Sequence, residues 1–319
     1  MSNNFGFEAT GDEVAEFYAG EIKGKTIIIT GCTWGGLGAE TARVLVKHDP
    51  KVIVVAGRKQ EVLDDTVQNI KKEMPDAHIR TLVLDLGSFK SIRRAAEEVN
   101  HYSENVDVLI NNAAVVYPKY QTTEDGLEAQ FGVAHIGHFL FTNLILSRML
   151  ATGSPRVVNV SSGGHALASI FFDDPSFKNG ETYDKHLAYG QSKTANVMFA
   201  KELTKRYKSK GLTAYSLQPG VIKTNLSRNS SLGEKPRGPV LNAWGEEVVI
   251  PVDKWKTLNQ GVATHITAAF DANIKDQSGS YLEDSQIAND HVKPHANSEA
   301  DAERLWILSE RLVGQKFSL

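Results

Sequence analysis

The chain has 319 residues, 41% of them hydrophobic, with a formal net charge of -3 and a single cysteine, Cys32. This composition supplies a sizeable core but no basic excess for nucleic acid or an anionic membrane surface. One cysteine excludes an intrachain disulfide and a cysteine-based zinc cage, and no apolar run approaches the roughly 20 residues of a bilayer span, so a soluble, reducing, cytoplasmic setting is expected.

Residues 1–24 read as an N-terminal lead-in, polar and acidic, unlike a signal or transit peptide. Within it, Thr10 and Glu13 have capping-box spacing and open a short helix that ends near Tyr18. Residues 25–30 are β-branched without alternation, as in a strand buried on both faces. They run into Gly31-Cys32-Thr33-Trp34-Gly35-Gly36-Leu37-Gly38, and a helical pattern follows over 39–48. Strand, glycine turn and helix form the setting in which backbone approaches a pyrophosphate and a helix N-terminus offers free N–H groups. Cys32, inside that turn, reads as a small packing residue.

A second buried strand, 52–56, leads to Gly57-Arg58-Lys59. An NAD site places a carboxylate here for the ribose 2′-OH; Arg58 and Lys59 instead suit a 2′-phosphate, which points to NADP(H) in preference to NAD(H). A helix over 61–73 and a strand over 80–84 bring up Asp85 and Leu86, with Asp85 placed to hydrogen-bond an adenine amine or to cap a helix. A helix over 91–100 and a strand over 106–110 end in Asn111-Asn112-Ala113-Ala114, where asparagines can tie loops and small alanines leave room for a flat cofactor. The strand 156–160 ends in Ser161-Ser162, and another strand covers 212–217.

Between those last two strands lies Ala188-Tyr189-Gly190-Gln191-Ser192-Lys193. On a helix, Tyr189 and Lys193 share one face. A phenol ordinarily titrates at about pH 10, and an adjacent ammonium favours its ionised form, so the pair can exchange a proton with a carbonyl or alcohol. The repeated strand–helix alternation gives an α/β, Rossmann-type, doubly wound parallel sheet in a single domain, 25–319, with its site at the carboxyl ends of the strands.

After Thr224 the pattern breaks. A stretch rich in Ser, Gly and Pro, with Leu241 and Trp244, reads as a substrate lid at about 226–256. Trp255 belongs to that lid or to the next helix, which ends near Phe270; residues 279–282 read as a final edge strand. Residues 298–313 form an amphipathic helix with Leu305, Leu308 and Leu312 on one side.

These motifs together resemble the short-chain dehydrogenase/reductase family, more narrowly its soluble, retinol-dehydrogenase-like branch common among fungal reductases. The resemblance runs from about Gly24 to Val313. It implies hydride transfer between a nicotinamide and a hydrophobic ketone, aldehyde or secondary alcohol. Tyr189 is implied as general acid or base, with Lys193 holding the nicotinamide ribose and lowering the tyrosine pKa, and Ser162 positioning the carbonyl. Gly31, Gly35, Gly36, Leu37, Gly38, Arg58, Asp85, Leu86, Asn112, Ala113 and Ala114 are implied to hold the cofactor, with Pro219, Gly220, Val221 and Thr224 at its nicotinamide end. A homo-dimer or tetramer follows from the same analogy, with no metal and no membrane span.

Two departures stand out. The glycine turn is one residue longer than the family pattern, so either Gly35 or Gly36 can be its middle glycine. Ala134 stands where the family has an asparagine implied to hold a relay water, which makes a cofactor-binding protein with weak or lost catalysis the alternative. His135 and His138, three residues apart, read as packing or capping residues before metal ligands, and His165 lies close enough in sequence to Ser162 to be weighed as a substrate contact.

Overall fold

The computed structural model describes residues 4–227, 240–248 and 254–318. Two short helices, α1 (Gly11–Phe17) and α2 (Ala19–Ile22), precede β1 (Thr26–Thr30). The capping box is complete: Thr10 Oγ accepts from Glu13 N at 3.3 Å and the Glu13 carboxylate accepts from Thr10 N at 2.8 Å. Strands and helices then alternate through α3 (Leu37–Leu45), β2 (Val52–Gly57), α4 (Gln60–Glu73), β3 (Ile79–Val83), α5 (Phe89–Asn100) and β4 (Val108–Asn111). A continuous helical run follows, consisting of α6 (Ala129–Phe131), a π-helical turn over Gly132–Gly137 and α7 (His138–Leu150). The chain continues through β5 (Arg156–Val160), α8 (Lys185–Tyr207), β6 (Thr213–Leu217), β7 (Val221–Ile222), β8 (Trp255–Lys256) and α9 (Leu258–Phe270). It closes with β9 (Tyr281–Glu283), β10 (Gln286–Ile287), α10 (Pro294–Asn297) and α11 (Glu299–Val313).

The main sheet has eight strands in the order β10-β9-β6-β5-β4-β1-β2-β3, parallel except for the β9–β10 pair. β1 shows why the strands carry no polar alternation. Ile28 packs into one core layer, while Ile27 and Ile29 pack into the other. The first layer is closed by α5, α7, α8 and α11 through Val99, Phe139, Phe199 and Trp306. The second is closed by α1, α3, α4 and α9 through Val14, Leu45, Leu63 and Ile266. Residues ahead of β1 therefore contribute to the core, with Val14, Ala15, Tyr18 and Ile22 all buried.

Three expectations change. Tyr281–Glu283 is not the edge, because Asp284 and Ser285 both take positive φ (50° and 63°) and return the chain as the antiparallel β10. Trp255 lies outside the following helix, in β8, which pairs in parallel with β7. The run Ala129–Leu150 is, by length and composition, long and apolar enough to cross a bilayer, contrary to the reading of the sequence; here it is buried inside the fold.

From β1 the chain steps outward to β2 and β3, then crosses back to β4 on the other side of β1, so its direction changes between β1 and β4, and a crevice opens at their carboxyl ends. Near it, Glu128 caps α6 by accepting from Gln130 N at 2.9 Å and Phe131 N at 2.8 Å. Burial pushes its pKa up to about 7, with those two N–H groups opposing. Between its unfolded value near 4.5 and about 7, the folded state retains a proton that the unfolded chain has lost, so this group's contribution falls as pH rises across that window. Glu128→Gln cannot ionise. Its melting temperature relative to the native chain is predicted to rise by several degrees between pH 5 and pH 8; a pH-independent difference would contradict this.

Candidate active site

The crevice is shaped first by the glycine turn. Gly31 follows β1 with φ +74°, and a Cβ there would lie 2.9 Å from Ala113 Cα. Gly35 also has positive φ, +78°, and makes the bend, whereas Gly36 caps α3 and lines the cavity next to Leu37. Gly38 lies behind the cavity wall. A Cβ there would meet Asn112 Nδ2 at 2.7 Å and the carbonyl oxygens of Gly31 and Thr30 at 2.8 and 3.0 Å. Its bare backbone lets α3 close onto the strand end.

The cavity has a volume of about 1160 Å³. That exceeds the roughly 300–1,000 Å³ of a single small-molecule site and leaves room for two ligands. In sheet order, its wall takes Asp85 and Leu86 after β3, the exposed Arg58 after β2, the glycine turn after β1, and Asn112, Ala113 and Ala114 after β4. Ser162 follows β5, and Pro219, Gly220, Val221 and Thr224 follow β6. Asp85 Oδ1 accepts from Gly87 N at 2.9 Å in an Asx turn. Gly220 has φ +95°, and an added Cβ would lie 2.9 Å from Lys256 Cδ. The buried Lys256 ammonium pairs with Asp284 at 2.5 Å, so the Pro219-Gly220 turn rests on a fixed support.

α8 delivers Tyr189 and Lys193 to the same cavity. Gly164 makes room for the phenol ring, since a Cβ there would come within 2.5 Å of Tyr189 Cε1. Ser162 Oγ accepts from Gly164 N at 3.1 Å and lies close enough to the phenol to pull its pKa down. Lys193 Nζ lies 5.6 Å from the Tyr189 ring centroid and donates to Val160 O at 3.1 Å. Burial pulls its pKa from 10.5 down to about 8. The expected lowering of the tyrosine pKa by Lys193 does not hold here. Burial raises the phenol above its ordinary value, and only Ser162 opposes that rise.

The remaining sequence candidates sort cleanly. His138 Nδ1 donates to Ala134 O at 3.0 Å, leaving Nε2 to accept from Thr30 Oγ at 2.8 Å; burial, with Lys193 adding to it, pushes its pKa down to about 4. His135 is packed against Phe131, Phe139 and Phe199 and bonds Ser309 Oγ at 2.8 Å. Among the described residues no group of three side chains can hold a metal. His165 is buried behind the wall, with Nδ1 donating to Ser162 O at 2.8 Å, so it braces the loop and does not line the cavity. The Cys32 thiol donates to Ile29 O, and burial pushes it up to about 12. Ala134 is buried, and its carbonyl also accepts from Asn196 Nδ2 at 2.7 Å.

Of the expected lid, residues 228–239 and 249–253 lie outside the described residues. The described part, 240–248, is a small hairpin closed by a Leu241–Glu247 bridge and tied to the Ser162 loop by Ala243 N donating to Leu167 O at 2.8 Å. Its Trp244 lines the cavity and stacks on His295 at 4.7 Å. Among the wall residues not singled out from the sequence are Asn225 and His186. Asn225 donates to Trp34 O at 2.9 Å and brackets the glycine turn. His186 precedes Tyr189 by three residues, a spacing that was already visible.

Residues 25–172 match the family model for short chain dehydrogenases. Over 298 residues the chain is 38% identical to retinol dehydrogenase 13 of Homo sapiens, covering 92% of this chain and 86% of that one. It is 35% identical over 321 residues to the chloroplastic short-chain dehydrogenase TIC 32 A of Brassica napus, covering 98% and 95%. The solved structure of a protein from Mycobacterium Paratuberculosis superposes with a TM-score of 0.72 at 29% identity, covering 93% and 96%. The curated relatives overturn the cytoplasmic placement expected from composition: one, matched over nearly the whole chain, is chloroplastic, and the first-named is a retinol dehydrogenase. Charge balance and a single cysteine constrain solubility and disulfide chemistry, and neither encodes an address.

The close approach at Gly38 gives a direct test. Gly38→Ala is predicted to cost about 1–3 kcal/mol, because two of the three clashing atoms are backbone. Gly20→Ala, with open space around it, should leave the melting temperature unchanged or raised. Equal melting of the two variants would refute the packing role of Gly38.

Proposed function

Because the chain belongs to the short-chain dehydrogenase family of oxidoreductases, in its retinol-dehydrogenase-like part, we propose that it is an NADP(H)-dependent reductase of largely apolar ketones or aldehydes. The observation that carries this reading is one cavity with Arg58 at one end of its wall and Tyr189, Ser162 and Lys193 at the other. The residues fit a dinucleotide: the turn has no Cβ at Gly31 and Gly36, where one would crowd its neighbours, and the α3 N-terminus opens onto it. Arg58 would pair with a 2′-phosphate, for which a guanidinium fork is suited. Asp85, Leu86, Asn112, Ala113 and Ala114 would flank the adenosine and central part, and Pro219, Gly220, Val221 and Thr224 the nicotinamide.

When bound, the reduced nicotinamide supplies hydride to the carbonyl carbon. The chain supplies the proton. Tyr189 gives its phenolic proton to the carbonyl oxygen, and Ser162, on the same wall, donates to that oxygen. The raised phenol pKa keeps Tyr189 protonated at neutral pH, which favours reduction over alcohol oxidation there. Val115, Val116, Leu167 and Leu226 in the wall support an apolar substrate body.

One observation favours a second reading. Ala134 has no side chain to hold a relay water, so a cofactor-binding protein with weak turnover is the alternative. Tyr189→Phe separates the two. A reductase is predicted to lose on the order of 10²–10⁴ in kcat while still binding NADPH. Retained carbonyl reduction in that variant would remove Tyr189 from the mechanism, and absence of turnover in both forms would favour the binding protein.

A further inference from the structure

His186 stands in the first turn of α8, three residues ahead of Tyr189, so the two side chains share a face about one helical turn apart. The Asp184 carboxylate accepts from His186 N at 2.7 Å and Leu187 N at 2.9 Å, which fixes the start of the helix and the base of the imidazole. The ring is half-buried and forms part of the cavity wall. Its Nδ1 is shielded from solvent and has no hydrogen-bond partner among the described residues. A nitrogen without accessible surface cannot be met by a ligand, so the nitrogen the cavity can engage is Nε2, which makes no hydrogen bond among the described residues.

The charge state narrows the ligand. Burial lowers the His186 pKa, Asp184 opposes, and Lys185 adds to the lowering. A neutral imidazole offers one donor and one acceptor, which suits a hydroxyl or carbonyl better than a carboxylate or phosphate. The apolar wall residues Val116, Leu167 and Leu226 cannot hold such a group.

We propose that His186 is a second substrate anchor, selecting carbonyl compounds that carry a neutral hydroxyl or a further carbonyl a few bonds from the reacting carbon. This rests on the reductase reading, because the carbonyl at Tyr189 is the reference point.

The test is equilibrium binding to the protein already loaded with NADPH, where an alcohol cannot be oxidised. A medium-chain secondary alcohol is compared with the matching diol whose second hydroxyl lies two carbons away. The native chain is expected to bind the diol at least about fivefold tighter, one neutral hydrogen bond's worth. In His186→Phe that ratio should fall to within about twofold, and His186→Gln should recover part of it. Thermal stabilisation of each variant by NADPH establishes that it is folded. An unchanged ratio in His186→Phe, or no preference in the native chain, overturns the proposal. No turnover enters the measurement, so a failure of Tyr189→Phe to stop carbonyl reduction would count against the reductase reading and leave this ratio standing.

Discussion

The hydroxyl of Thr30 holds together the two strands between which the site opens. It accepts from Asn112 N at 2.9 Å and from Ala113 N at 3.0 Å, and it donates to His138 Nε2 at 2.8 Å. Asn112 Nδ2 answers with a bond to Thr30 O at 2.7 Å. Each such neutral bond contributes only about 1 kcal/mol net, yet leaving any of these buried groups unpaired costs more. The ends of β1 and β4 are therefore fixed at the point where the sheet changes direction. The glycine turn departs from one and the Asn-Ala segment from the other, so the crevice takes its width from this knot. Gly31 is required there because Ala113 leaves no space for a side chain.

The proposed acid–base group hangs from the same frame. His138 reaches from Thr30 back to the Ala134 carbonyl, which Asn196 of α8 also engages. α8 is thereby registered against β1 and carries Tyr189 and Lys193 with it. Burial then sets their electrostatics. It draws the lysine down to about 8 and holds the phenol above its ordinary value. Both shifts follow from desolvation of the charged form, and neither needs the two side chains to touch.

Much of this was legible in the sequence, for local reasons. The strand runs are β-branched and unbroken because both faces of a parallel sheet are buried, and the glycine turn announces itself because its backbone has no alternative. The hairpin after β9 was not legible: Asp284 and Ser285 take left-handed φ without the glycine or asparagine that marks such a turn. Nor did the chain order reveal which of Gly35 and Gly36 faces the cavity, since that depends on how Asn225 grips Trp34 from 191 residues away. For His165, where a substrate contact was weighed and not favoured, the ring has turned behind the wall. His186 was overlooked: its spacing from Tyr189 was visible, but its exposure to the cavity was not. The compartment was misread because composition does not carry it.

The central claim is that this cavity holds a nicotinamide dinucleotide and prefers the phosphorylated one. Thermal stabilisation by NADPH and by NADH at equal concentration tests it without knowledge of the carbonyl substrate. At about a hundred times its dissociation constant, a ligand adds about 2.7 kcal/mol to stability. The account predicts a clear rise in melting temperature with NADPH and a smaller one with NADH, the difference disappearing in Arg58→Ala. A larger shift with NADH would contradict the role given to Arg58. No shift with either would mean that the lengthened glycine turn does not hold a dinucleotide, and the reductase reading would fall with it.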